Sequence, residues 1–205
     1  MIKIIAIIST IVVAVAIIFF IFKKDAPITN FPSDGKTIIA FGDSLTEGVG
    51  ATKGNDFVSL LSRGIGQPIV NMGASGDTST RGLARVDAVI EQDPKVVLLL
   101  LGGNDFLRKV PIAETFKNID DIVVKIQNSG AMVILLGIQG GILSDHYDEY
   151  FEDIAKKRGT LYVDNVLDGL VGHQEYMSDT IHPNDAGYKK IVKRVLPVLE
   201  KSLGK

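Results

Sequence analysis

Six consecutive apolar residues, Val96, Val97, Leu98, Leu99, Leu100 and Leu101, constrain this chain more than any other feature. A strand wetted on one face alternates apolar with polar residues; a strand with no alternation needs cover on both faces. Further β-branched or leucine-rich runs occupy 37–41, 68–72, 131–138 and 160–163, which with 95–101 gives five candidate strands. Helical spacing fills the intervals. Leu83, Val86, Val89 and Ile90 share one face, as do Ile119, Ile122, Val123 and Ile126. A last helix is expected from Asn184 or Asp185 to Leu203, burying Ile191, Val195, Leu196 and Leu199. Alternation of this kind predicts an α/β chain folded as a three-layer α/β/α sandwich, with a five-stranded parallel sheet and right-handed crossovers. In such sheets ligands collect beyond the carboxyl ends of the strands.

The polar residues that could do chemistry fall at those ends. Phe41-Gly42-Asp43-Ser44-Leu45-Thr46-Glu47-Gly48 follows the first strand, and places a serine where the chain leaves the sheet for a tight turn. Asn71-Met72-Gly73-Ala74-Ser75-Gly76-Asp77-Thr78 follows the second strand, and Gly102-Gly103-Asn104-Asp105 the third. Asp179-Thr180-Ile181-His182-Pro183 precedes the last helix. A serine is a weak nucleophile until a base takes its proton. Of the three histidines, His146, His173 and His182, the last is best placed: Pro183 stiffens the chain behind it, and Asp179 can bond it across one turn. Gly76 can offer its N–H without a side chain in the way, and Asn104 can direct an amide into the same cleft, so both are candidate oxyanion donors. Taken singly each motif also reads as ordinary turn chemistry. Asp43, Glu47, Asp77 and Asp105 read as loop-holding residues, and His173 as a surface residue.

Together the four blocks resemble the SGNH (GDSL) hydrolase family. G-D-S-L at 42–45 matches its serine block, Gly76 its glycine block, Asn104 in G-G-N-D its asparagine block, and D-x-x-H-P at 179–183 the last. The resemblance covers 37–203, and is similar in particular to the bacterial thioesterase I/lysophospholipase L1/arylesterase group. It implies a flavodoxin-like SGNH fold and a serine esterase working on carboxylic esters or thioesters through an acyl-enzyme, with no cofactor and no metal. It further implies Ser44 as nucleophile, His182 as base and Asp179 as its orienter. The N–H groups of Ser44 and Gly76, with the Asn104 amide, would form the oxyanion hole. The loop from Gly137 to Tyr150, with His146 and Tyr147, is implied to border an acyl pocket. The chain lacks G-x-S-x-G, so it carries no α/β-hydrolase nucleophile elbow. Two alternatives stay open: an O-acetylesterase acting on cell-envelope carbohydrate, and a flavodoxin-like binding module whose first loop cradles a phosphate and has no use for His182.

Outside 37–205 the chain reads differently. From Ile4 to Phe22 it is apolar except for Ser9 and Thr10, with Lys3 before and Lys23 and Lys24 after. At about 1.5 Å per residue a helix of that length crosses roughly 30 Å of hydrocarbon. No small-x-small site follows it, so 1–24 is expected as an uncleaved membrane anchor, with a cleaved export signal as the alternative. Residues 25–36, with Pro27, Asn30, Pro32, Ser33 and Asp34, read as an extended tether. The catalytic domain is placed outside the cytoplasm, at a membrane. The formal net charge is −2 and no Lys/Arg cluster could track a phosphate backbone, which argues against nucleic acid as a partner. With no cysteine among 205 residues, thiolate catalysis and disulfides are excluded.

Overall fold

The computed structural model describes residues 27–139 and 147–205. The expected anchor at 1–24, and His146, lie outside the described residues. Within them, no helix is long and apolar enough to cross a membrane.

Five parallel strands form one sheet: β1 (Thr37–Gly42), β2 (Ile69–Gly73), β3 (Pro94–Leu100), β4 (Met132–Leu136) and β5 (Leu161–Val163). Their spatial order is β2-β1-β3-β4-β5. β3 and β4 are buried almost throughout, which is why they read as unbroken apolar runs. Edge strand β2 is half exposed, and β5 is only three residues long.

Among the described residues, seven helices flank this sheet: α1 (Ser44–Glu47), α2 (Phe57–Ile65), α3 (Ser79–Ile90), α4 (Gly103–Leu107), α5 (Ile112–Asn128), α6 (Tyr147–Arg158) and α7 (Asp185–Ser202). α2 packs on α7, while α3 packs on α5 and α5 on α6. With right-handed crossovers those two groups lie on opposite faces, giving the three layers expected. Ile119, Ile122, Val123 and Ile126 of α5 are fully buried, as are Ile191, Val195 and Leu199 of α7. Side chains start the longer helices. Asp56 accepts from the Ser59 N–H at α2, Thr78 from Arg81 at α3, and Asn184 from Ala186 and Gly187 at α7.

One boundary differs from expectation. Tyr147 to Tyr150, placed in the loop after β4 by sequence, instead open α6. The aromatic spacing explains it: helical geometry puts Tyr147, Tyr150 and Phe151 on one side, and all three rings pack around Phe116.

The chain ahead of β1 is held along the opposite edge of the sheet from the sequence blocks. Thr29 donates to the carbonyls of Gly159 and Arg158, Asn30 to those of Gln127 and Ala131, and Ser33 to that of Gly130. Lys36 N–H donates to Asp93. These acceptors lie at the ends of α5 and α6 or just before β3, β4 and β5, so they mark the amino edge of the sheet.

Candidate active site

The chain runs from β1 outward to β2 on one side, then returns to β3 on the other, so a crevice opens beyond the carboxyl ends of β1 and β3. Ser44 leaves β1 as the first residue of α1, with the Asp43 side chain capping that turn through the Leu45 N–H at 3.0 Å. On the far side of the sequence, residues 177–183 form a tight loop closed by the Ser178 N–H donating to the His182 carbonyl. Gly50 lets the two loops meet. A Cβ there would collide with Ser178 Oγ and the Pro183 carbonyl, and its φ of +91° is already glycine territory. Behind the contact, fully buried Tyr188 of α7 donates its hydroxyl to the Val49 carbonyl at 2.7 Å.

These loops bring the expected triad together. His182 Nε2 lies 3.0 Å from Ser44 Oγ, and His182 Nδ1 lies 2.8 Å from Asp179 Oδ2. The other Asp179 oxygen accepts the backbone N–H groups of Ile181 and His182, each at 2.7 Å. Hydrogen bonding from the His182 ring, then from those two N–H groups, holds the Asp179 carboxyl down at about 2. An ionised Asp179 takes the Nδ1 proton as its hydrogen-bond donor. That tautomer leaves Nε2 as an acceptor aimed at the serine hydroxyl.

The oxyanion candidates line the same cleft. Gly76 sits at a turn closed by the Asp77 N–H to the Ala74 carbonyl, with φ +79°, and Arg108 donates to its carbonyl at 3.0 Å. The N–H groups of Ser44 and Gly76 have no protein acceptor among the described residues. Asn104 enters from α4; its Nδ2 is 3.0 Å from the Asp77 carbonyl and 3.4 Å from Asp43 Oδ2.

The acidic residues around the site hold loops. Glu47 accepts from the Ser75 N–H, and Asp105 takes the N–H and hydroxyl of Ser79 at the start of α3. Asp77 takes Arg85 Nε at 2.6 Å, while the other guanidinium nitrogens reach the carbonyls of Met72 and Gly42. Arg85 thus ties the ends of β1 and β2 to the glycine loop, a role the sequence did not signal because Arg85 looks like any polar helix position. Arg108 lay within the G-G-N-D-F-L-R run, a local cue to its loop. His173 is exposed and 3.6 Å from Glu175, away from the triad.

A cleft of about 590 Å³ opens over Ser44 and His182. Leu45, Phe106, Ile138, Tyr147 and Leu167 line it, and Leu107, Val171 and Ile181 stand at its rim, 53%, 48% and 42% exposed. Tyr147 therefore borders the pocket as the resemblance implied. Among the described residues, no group of three His, Asp or Glu side chains could hold a metal.

A serine, an imidazole and a carboxylate bonded in series at the switch point of a doubly wound sheet define an α/β/α hydrolase of ester bonds. Comparison with known proteins gives its family. The chain belongs to the GDSL-like Lipase/Acylhydrolase family, whose model matches residues 40–190. It is 33% identical over 177 residues to Esterase TesA of Pseudomonas aeruginosa, covering 80% of this chain and 88% of that protein. It is also 29% identical over 157 residues to the thioesterase 1/protease 1/lysophospholipase L1 of Escherichia coli, covering 72% and 76%. A crystal structure of TesA matches with a TM-score of 0.74 at 33% identity, over 82% of this chain and 99% of that one. The protein is a GDSL-type esterase that acts on small-molecule esters, and the non-catalytic binding-module reading falls away.

Proposed function

We propose that Ser44 is the nucleophile, His182 the general base and acid, and Asp179 the residue that orients and charges the imidazole. Ser44 Oγ attacks the substrate carbonyl as its proton passes to His182 Nε2. The N–H groups of Ser44 and Gly76 and the Asn104 amide bind the resulting oxyanion. His182 then returns the proton to the departing alcohol or thiol, leaving an acyl-serine. Water, deprotonated by His182, hydrolyses the acyl-serine and restores the hydroxyl. The observation that carries this reading is the continuous series of short contacts, 2.8 Å and 3.0 Å, from Asp179 through His182 to Ser44.

The substrates we propose are single-chain acyl esters and thioesters. An apolar cleft of this size suits an aliphatic chain better than an acetylated sugar, and the esterase and thioesterase/lysophospholipase relatives support the same choice. We further propose that 4–22 anchors the domain in a membrane, with 37–205 outside the cytoplasm.

A fluorophosphonate probe tests the first reading without presuming a substrate. The adduct is expected on Ser44 and absent from Ser44→Ala. p-Nitrophenyl esters from acetyl to palmitoyl test the second, and hydrolysis confined to acetyl would overturn it.

A further inference from the structure

The chain ahead of β1 enters at the amino edge of the sheet, while the cleft opens at the carboxyl edge. Thr29, Asn30 and Ser33 are bonded to the carbonyls of Gln127, Gly130, Ala131, Arg158 and Gly159. Ser33 is itself buried. The attachment point is therefore Thr29, fixed to the base of the domain.

Seven Cα–Cα steps separate Phe22 from Thr29, a reach of about 25 Å at full extension. A domain of roughly 170 residues has a radius of gyration near 15 Å, hence a diameter of about 40 Å. Pressing the cleft onto the bilayer would lift Thr29 about 40 Å above it, well beyond that reach. With the domain on its side and the tether fully drawn out, the mouth still stands about 15 Å from the surface by the same arithmetic.

We infer that the domain is held by its base, with its catalytic mouth turned away from the bilayer that carries residues 4–22, so that its substrates are acyl esters arriving through the aqueous phase as monomers or micelles. This rests on the anchor reading proposed above. It assigns the exposed rim of Leu107, Val171 and Ile181 to the chain of a dispersed amphiphile. Lipids of the enzyme's own bilayer are out of its range.

The absence of native cysteine makes the orientation directly measurable. The full chain is placed in phosphatidylcholine vesicles with a fluorophore at Lys36→Cys, on the base, or at Val171→Cys, on the rim. Energy transfer to acceptor-labelled headgroups is expected to be much stronger from position 36. Equal or stronger transfer from position 171 would overturn the inference. A chain that fails to float with vesicles would sink the anchor reading, and this inference with it. Activity gives a second readout, using p-nitrophenyl octanoate in solution and an octanoyl ester fixed directly to a phospholipid headgroup. A flexible insert of about 20 residues between Ala26 and Pro27 extends the reach by tens of ångströms. It is expected to raise hydrolysis of the fixed ester at least tenfold and leave the soluble ester unchanged. Equal rates on the fixed ester with and without the insert would overturn the inference. Loss of the soluble reaction in every form would instead count against the hydrolase assignment.

Discussion

Replacing Asp43 by asparagine should make the domain more stable at neutral pH and less stable in acid. Asp43 is 2% exposed. One oxygen accepts the Leu45 N–H at 3.0 Å, and the other meets only the Asn104 amide, at 3.4 Å. Burial pushes its carboxyl up from 3.8 to about 7; the Leu45 N–H and the His182 charge oppose that rise, and Asp105 and Asp77 add to it. In the unfolded chain the carboxyl ionises normally. As pH climbs from about 4 to about 7, the unfolded state therefore sheds a proton that the folded state keeps. Stability falls by about 1.4 kcal/mol per pH unit over that window, about 4 kcal/mol altogether, and is level above it. The substituted asparagine would not titrate, and its amide oxygen can still take the Leu45 N–H. Its amide nitrogen would face that of Asn104, donor against donor, at a cost of about 1–2 kcal/mol. The variant should gain about 2–3 kcal/mol over wild type at pH 8 and lose about 1–2 kcal/mol at pH 4. Asp179 and Asp120, both held down at about 2, titrate identically in the two proteins and cancel from the difference. Urea unfolding of 26–205 followed by circular dichroism at unit steps from pH 4 to 8 measures it. A difference that stays flat across the range would show that Asp43 ionises as an ordinary carboxylate, and the burial argument would be wrong.

Two further outcomes follow from single side chains. Asn104→Ala removes one of three proposed oxyanion donors and should lower kcat by about 10²–10³ with KM little changed; a loss under fivefold on p-nitrophenyl butyrate would remove Asn104 from the oxyanion hole. Thr46 is fully buried and its hydroxyl finds no partner among the described residues, so Thr46→Val should raise stability by about 1 kcal/mol in urea unfolding, and a loss of that size would mean the hydroxyl is bonded.

The sheet was legible because burial on both faces leaves a mark that needs no partner to interpret: β3 matches the run 95–101 to within one residue at each end, and β4 sits inside 131–138. The helix faces of α5 and α7 were legible through the same one-body signal. The link between Asp179 and His182 was also readable, since three residues and one turn bring them together. The contact between Ser44 and His182 was of another kind. It spans 138 residues and depends on α7 packing beside α2 and on Gly50 admitting the 177–183 loop. The parallel-sheet reading brought those blocks to one edge, and the resemblance paired them as nucleophile and base. Arg85 shows what neither route could reach: its three acceptors come from β1, β2 and the glycine loop, and none is specified by the residues around it.

The segment before β1 shows why composition misleads where backbone groups are the partners. Prolines and small polar residues without apolar pattern read as chain with nothing to bury. A helix, however, ends with carbonyls that its own backbone cannot satisfy. Gln127 and Arg158 belong to the last turns of α5 and α6, and Gly130, Ala131 and Gly159 follow directly. Thr29, Asn30 and Ser33 donate to these carbonyls, alongside the Gly130 N–H on Gln127 and the Gln127 side-chain amide on Arg158, so small polar side chains suit packing at this edge. A residue chosen for that task looks identical, in sequence, to one chosen for solvent. The same bonds turn the end of a stretch read as an extended tether into part of the domain's base, which is the observation behind the proposed orientation of the cleft.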